Sequence, residues 1–252
     1  MNVKMFGSAS ALMILPSIIL SSLFLPGCSP PADSPQIVPA VAVVEPSLEQ
    51  QIAAVRAGST DIILIESTPL ADADLEVLVD VPGLRVLQLD QADNTLTDTG
   101  MTVIAKLTQL EHLRIRGGSI GDEGLKTLST MPNLRFLNLP QGKFTDAGLA
   151  QLQKLPRLNS IRIGSPNVTD ASIAALKDFP KLRSVHLIDI PITDKGLANL
   201  LAVPKLDSLY LDGAKISDAA VDELFAKHPH LHVHFNQLHH DRDPNKHEHS
   251  AE

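Results

Sequence analysis

A period of 24 residues governs this chain. Leu96-Thr97-Asp98-Thr99-Gly100-Met101 returns as Ile120-Gly121-Asp122-Glu123-Gly124-Leu125 and again as Phe144-Thr145-Asp146-Ala147-Gly148-Leu149. Val168-Thr169-Asp170-Ala171-Ser172-Ile173, Ile192-Thr193-Asp194-Lys195-Gly196-Leu197 and Ile216-Ser217-Asp218-Ala219-Ala220-Val221 follow at the same spacing. An earlier copy, Leu70-Ala71-Asp72-Ala73-Asp74-Leu75, stands 26 residues before the first, and the extra two residues fall in the Gln91–Thr95 turn. A chain tied to such a period does not gather around one central core. Each unit is a single supersecondary element that must bury its apolar side on the next, so the product is a stack.

Within a unit the pattern changes midway. Leu149, Leu152 and Leu155 recur at three-residue spacing, as on one helix face, whereas Leu137-Asn138-Leu139 alternates as on a strand. Pro132, Pro156, Pro180 and Pro204 mark the turn between the two halves. This predicts helices near 48–57, 71–80, 98–107, 122–130, 146–154, 170–178, 194–202 and 218–227. It predicts strands near 62–65, 85–89, 111–115, 135–139, 159–163, 183–187, 207–211 and 231–235. The first helix–strand pair reads as an N-terminal cap over the first layer. Composition agrees: 38 leucines against only 8 aromatic residues suit thin, repeated core layers.

These motifs resemble the leucine-rich repeat family, with LxxLxL as its strand signature, in the subclass whose units carry an (I/V)TDxGLxxL helix start. The resemblance covers Leu48 to Phe235. It implies an α/β solenoid: a curved parallel sheet of about eight short strands with helices on the convex side. Family members commonly bind partners through the concave sheet face. The family's inter-repeat Asn or Cys column here reads Ala92, Gly118, Gly142, Pro166, Ile190 and Ala214. That ladder of side-chain hydrogen bonds is therefore expected to be missing.

The ends of the chain have a different character. Lys4 precedes an apolar stretch from Ala9 to Leu25 that is broken by Pro16 and ends in Leu25-Pro26-Gly27-Cys28. The stretch suits the apolar region of a secretory signal. Its end resembles a bacterial lipobox, which implies cleavage before Cys28 and a lipid on that thiol, the only Cys of the chain. Residues 1–27 are thus expected to be a lipoprotein signal peptide. Residues 28–47, with five prolines, are expected to be a lipid-anchored, extended tether. The repeat domain then spans 48–236, and 237–252 is a His-rich disordered tail. Ser29 in place of Asp favours the outer membrane or cell surface within the bacterial envelope.

Function is narrowed by charge and by missing motifs. A net charge of -8 argues against nucleic acid, which needs a basic face. No GxSxG, HExxH, Walker or GxGxxG motif is present, so no catalysis is expected. The repeated aspartates, Asp72 to Asp218, read as helix capping: each follows Thr, Ser, Gly or Ala and opens a helix, where a carboxylate or hydroxyl accepts bonds from free N–H groups and the acid favours the positive dipole end.

Alternation turns three columns to the concave face. The central one is Gln88, Arg114, Asn138, Arg162, His186, Tyr210 and His234. Its neighbours run from Val86 to His232 and from Asp90 to Asn236. Arg114, Arg116 and Arg162 form a basic patch, and Tyr210 stands between His186 and His234. With Asn138 and Asp212 these are the expected contacts for a protein partner, bound by a monomer without cofactor. Membrane association is expected through the lipid alone. The alternative is a metal-binding envelope protein. His230, His232 and His234 fall on one side of a strand and could share Zn(II), Ni(II) or Cu(II), with further donors such as His239 in the tail.

Overall fold

The computed structural model describes residues 45–239. The signal peptide, Cys28 and almost all of the tether and tail expected from the sequence lie outside the described residues.

A short helix and a short strand alternate along the chain. Helix α1 (Leu48–Arg56) leads to β1 (Ile62–Ile65), and a 3₁₀ helix (Asp72–Leu78) leads to β2 (Val86–Leu89). Then come α2 (Asp98–Ile104), β3 (His112–Ile115), α3 (Asp122–Leu128), β4 (Phe136–Leu139), α4 (Asp146–Gln151) and β5 (Ser160–Ile163). The last are α5 (Asp170–Ile173), β6 (Ser184–Ile188), α6 (Asp194–Leu201), β7 (Ser208–Asp212), α7 (Asp218–Lys227), β8 (His232–Phe235) and β9 (Leu238–His239). The strands form one open sheet in sequence order, with β1 to β8 parallel. Strand β9 is antiparallel to β8.

The predicted period sets the core. Leu125, Leu128, Leu134, Leu137 and Leu139 are all at most 1% exposed, and the neighbouring repeats bury the matching residues. Strands β1 to β6 bury alternate residues against the helices, so one sheet face is covered and the other is open. Proline has no N–H to donate to the preceding helical turn, so the chain leaves the helix near Pro132, Pro156, Pro180 and Pro204.

Several helices are less regular than expected. The first repeat forms only 3₁₀ structure; Ala71 has no hydroxyl to cap it, and Asp74 accepts the Ala71 N–H at 2.8 Å. Helices α4 and α5 end in 3₁₀ turns, Leu152–Lys154 and Ala174–Asp178. The 3₁₀ helix is wound more tightly and rises further per residue, so it covers the same span with fewer residues.

The capping expectation holds for the hydroxyls and is corrected for the carboxylates. The cap of each later helix is the preceding residue, Thr97, Thr145, Thr169, Thr193 or Ser217, whose hydroxyl accepts an N–H of its own first turn. At α3 that place is Gly121, which has no side chain to give. The Asp stands one residue inside the helix and bonds the next repeat. Asp72 accepts the Thr97 N–H at 2.8 Å and the Thr97 hydroxyl at 2.5 Å. Asp122 serves Thr145 in the same way, Asp146 serves Thr169, Asp170 serves Thr193, and Asp194 serves Ser217. Asp98 accepts the Gly121 N–H at 2.7 Å.

A ladder therefore runs through the stack on the helix side. It also explains the Gly of the motif. A methyl group added at Gly100, Gly124, Gly148 or Gly196 would stand between 2.2 and 2.5 Å from the preceding repeat's Asp Oδ1. A single asparagine bridges repeats at the N-terminal end of the stack. Buried Asn94, one of the residues of the longer first turn, accepts the Leu70 N–H and donates to the carbonyls of Leu89 and Arg116.

The domain also reaches further at both ends than its expected bounds. Glu45 accepts the N–H groups of Glu66 and Ser67, and Ser47 caps α1 in a reciprocal capping box with Gln50. Hydrogen bonds from Ser67 and Glu66 hold the Glu45 carboxyl below the usual carboxylate range. At the other end, Asn236 and Gln237, at φ 50° and 65°, make a two-residue turn that returns Leu238–His239 onto β8. Paired positive φ values match the right-handed twist of a tight hairpin.

Candidate functional site: the open sheet face and its histidine end

Strand register delivers the expected columns. Gln88, Arg114, Asn138, Arg162, His186, Tyr210 and His234 are consecutive partners across the sheet. Val86, His112, Phe136, Ser160, Ser184, Ser208 and His232 form the column beside them. Ile62 joins Val86 at the first strand. Ile62 is 44% exposed and Phe136 is 37% exposed, with the His112 ring 5.4 Å from that of Phe136. The N-terminal half of the face thus carries an apolar strip, followed by three small serines.

Two arginines of the basic patch are held from within, and one of them is neutralised. Arg114 donates twice to Asp90 Oδ1, at 3.1 and 2.8 Å, in a half-buried pair. Arg162 donates from Nε to His186 Nδ1 at 3.1 Å, and His186 Nε2 meets Asp212 Oδ2 at 2.8 Å. A guanidinium has only donors, so Nδ1 must be unprotonated here. That fixes His186 as the neutral tautomer with its proton on Nε2, given to Asp212. Burial also lowers the His186 pKa below its ordinary value; Asp212 opposes this and Arg162 adds to it. Burial and Arg114 lower the His112 pKa as well. Burial and Arg114 draw Arg162 down from the usual guanidinium range, while Asp212 and Asp90 act against them.

Both ring nitrogens of His186 are engaged, which leaves Ser184 and Ser208 without a base from that ring. Asn138 lies between the two arginines with its Oδ1 buried and without a protein hydrogen bond. Arg116 is exposed, and among the described residues its guanidinium meets no carboxylate.

At the C-terminal end the rings gather. Tyr210 has the His186 ring 5.2 Å away on one side and the His234 ring 4.7 Å away on the other, with His232 at 5.8 Å. Burial raises the Tyr210 pKa, so the phenol stays protonated. His232 Nε2 and His234 Nε2 lie 2.8 Å apart. The hairpin sets His239 opposite His234, with ring centroids 4.2 Å apart.

The metal-ligand set expected from spacing is therefore changed by one member. His230 lies in the turn before β8, so strand alternation does not reach it, and its ring lies 6.3 Å from that of His228. His239 takes its place. The available signal was Asn236-Gln237 between Phe235 and Leu238, a two-residue turn between alternating residues.

A stacked sheet with one open, side-chain-rich face defines a solenoid binding scaffold. The family model described as Leucine Rich repeat matches residues 106–129, one full period from the end of α2 through β3 and α3. With the strand–helix pattern repeated along the described residues, the chain is a leucine-rich repeat protein. No curated protein matches it.

Proposed function

We propose that this protein is a non-catalytic binding module that engages a protein partner through the open face of its sheet. The observation that carries the reading is the order of that face. Arg114, Arg162, His186 and Asp212 are held by hydrogen bonds to one another and to Asp90, so little side-chain freedom is lost on association. The exposed Ile62–Phe136 strip offers apolar anchors, and Arg116, Asn138 and Tyr210 offer polar ones beside it. The Leucine Rich repeat match supports a protein as the partner class.

The same proposal places the module in a bacterial envelope, anchored by lipid on Cys28. Leu25-Pro26-Gly27-Cys28 behind an apolar stretch supports that placement. Incorporation of labelled fatty acid, abolished by Cys28→Ser, tests the anchor.

The test of the face is capture of envelope proteins by the full chain, compared with the F136D/R116E variant and with V77D as control. Val77 is 52% exposed on the helix side. Partners retained by V77D and lost by F136D/R116E support the open face. Loss by V77D alone, or retention by all three proteins, overturns it.

A further inference from the structure

The histidine end of the open face stands apart from the apolar strip and meets the Arg162–His186–Asp212 chain at Asp212. It is built by the hairpin, and the hairpin is itself held in place. Asn236 and Gln237 both adopt positive φ, which non-glycine residues take at a cost. Two bonds to β7 and its exit offset that cost. The Gly213 N–H donates to Asn236 Oδ1 at 2.9 Å, and the Gln237 N–H donates to Asp212 Oδ1 at 3.1 Å. Asp212 thus orients His186 with one oxygen and fixes the hairpin with the other.

The hairpin brings together three imidazoles from two strands. One nitrogen from each of His232, His234 and His239 lies within 4.8 Å of the other two. We propose that His232, His234 and His239 form a binding site for a divalent transition metal ion of the Zn(II), Ni(II) and Cu(II) class.

The geometry brackets what such an ion needs. Metal–nitrogen bonds of roughly 2.0–2.1 Å in a tetrahedron place neighbouring ligand nitrogens about 3.3 Å apart. The His232–His234 pair at 2.8 Å has to open by a few tenths of an ångström, and the widest pair within the 4.8 Å limit has to close. Both movements are within reach of side-chain rotation on half-buried His232 and His239. Imidazole suits this class of metal, whereas Mg(II) and Ca(II) favour oxygen donors.

The 2.8 Å contact between Nε2 atoms requires one ring to donate its proton to the other. An ion bound to both nitrogens takes the place of that proton, so binding releases it. Three protein nitrogens leave a tetrahedral ion one position for water or for a donor from outside the chain.

The structure supplies its own reporter. Tyr210 is the only tyrosine, there is no tryptophan, and its ring lies 4.7 Å from His234. Paramagnetic Ni(II) bound at the three histidines should quench Tyr210 fluorescence saturably at one equivalent, and diamagnetic Zn(II) should restore it by competition. The full chain is titrated beside H232N/H239N, the single variant H239N and the tail variant H247N/H249N. The proposal predicts that quenching persists in H247N/H249N and is lost in H232N/H239N. In H239N the apparent affinity should fall at least about tenfold, since even outer partners of a ligand matter that much. Far-UV circular dichroism confirms that each variant is folded, and H239N, which changes only the last described residue, keeps the test available if the double variant unfolds. Unchanged quenching in H232N/H239N or in H239N, or loss of quenching in H247N/H249N, would overturn the site.

Discussion

The aspartate ladder makes a quantitative claim that own-helix capping does not. Asp72 and Thr97 are both half-buried and belong to successive repeats. Their two bonds, 2.8 Å to the amide and 2.5 Å to the hydroxyl, end on a charged acceptor. Sheltered bonds of this kind contribute about 1.5–3 kcal/mol each, and water at a half-exposed position reduces that to about 1 kcal/mol each. Asp72→Ala should therefore cost about 2 kcal/mol. Thr97→Ala removes the hydroxyl rung, worth about 1 kcal/mol, and the cap on the Thr99 N–H, worth about 1 kcal/mol more. The double variant loses only the two rungs and the cap, so its cost is about 3 kcal/mol and the coupling energy is about 1 kcal/mol.

Urea unfolding of the four proteins, followed by circular dichroism and by Tyr210 fluorescence, measures this cycle, and coincident transitions license a two-state reading. Additive single costs, with coupling below about 0.3 kcal/mol, would refute the ladder and return Asp72 to its own helix end.

Two further outcomes follow from the same structure. Gly148→Ala sets a methyl 2.2 Å from Asp122 Oδ1 and 2.9 Å from Asp122 Cα, so urea unfolding should show a loss of about 1–3 kcal/mol; an unchanged midpoint would mean that the repeats separate freely there. The second concerns pH. His112 and His186 have folded pKa values below the ordinary 6.5, so the unfolded chain binds more protons than the folded one just under that pH. Their contribution is complete above about 6.5 and is lost as pH falls through the lower folded values. The urea midpoint should decline between neutral pH and the Asp range, less steeply in the H186N variant. A midpoint that rises on acidification contradicts the neutral His186.

Much of the fold was legible because a solenoid repeats its instructions. Each of the eight parallel strands lies within one residue of its expected place, since the Leu-x-Leu alternation has only one way to bury both leucines. The columns of the open face follow from the same period. What stayed hidden depends on partners between columns. The TDxG motif names its residues but not their direction, and Asp72 and Thr97 are too far apart in sequence for local pattern to pair them. Arg114 shares a column with Gln88 yet reaches diagonally to Asp90, so a patch that is basic in sequence is paired in space. His239 is legible only as a further donor in the tail; its place beside His232 and His234 is not, because the repeat ends at Phe235 and a single turn beyond it carries no periodic signal.

Charge is distributed by the same architecture. The aspartates of the ladder stand at helix starts, where carboxylates favour the positive end of the backbone dipoles. The opposite edge, between helix ends and the next strands, gathers Arg135, Arg157, Lys181, Arg183 and Lys205 around one shallow depression. Arg135 there meets Glu111, and Arg183 meets Asp207. Acidic and basic edges therefore follow largely from how short helices end, and the net charge of -8 says little about a partner. The open face between those edges is different in kind. Arg114 and Arg162 are already committed to Asp90 and His186, so they cannot swing toward an arbitrary anion. A face built this way selects by matching fixed donors and apolar strips rather than by field strength, which favours specificity over long-range attraction.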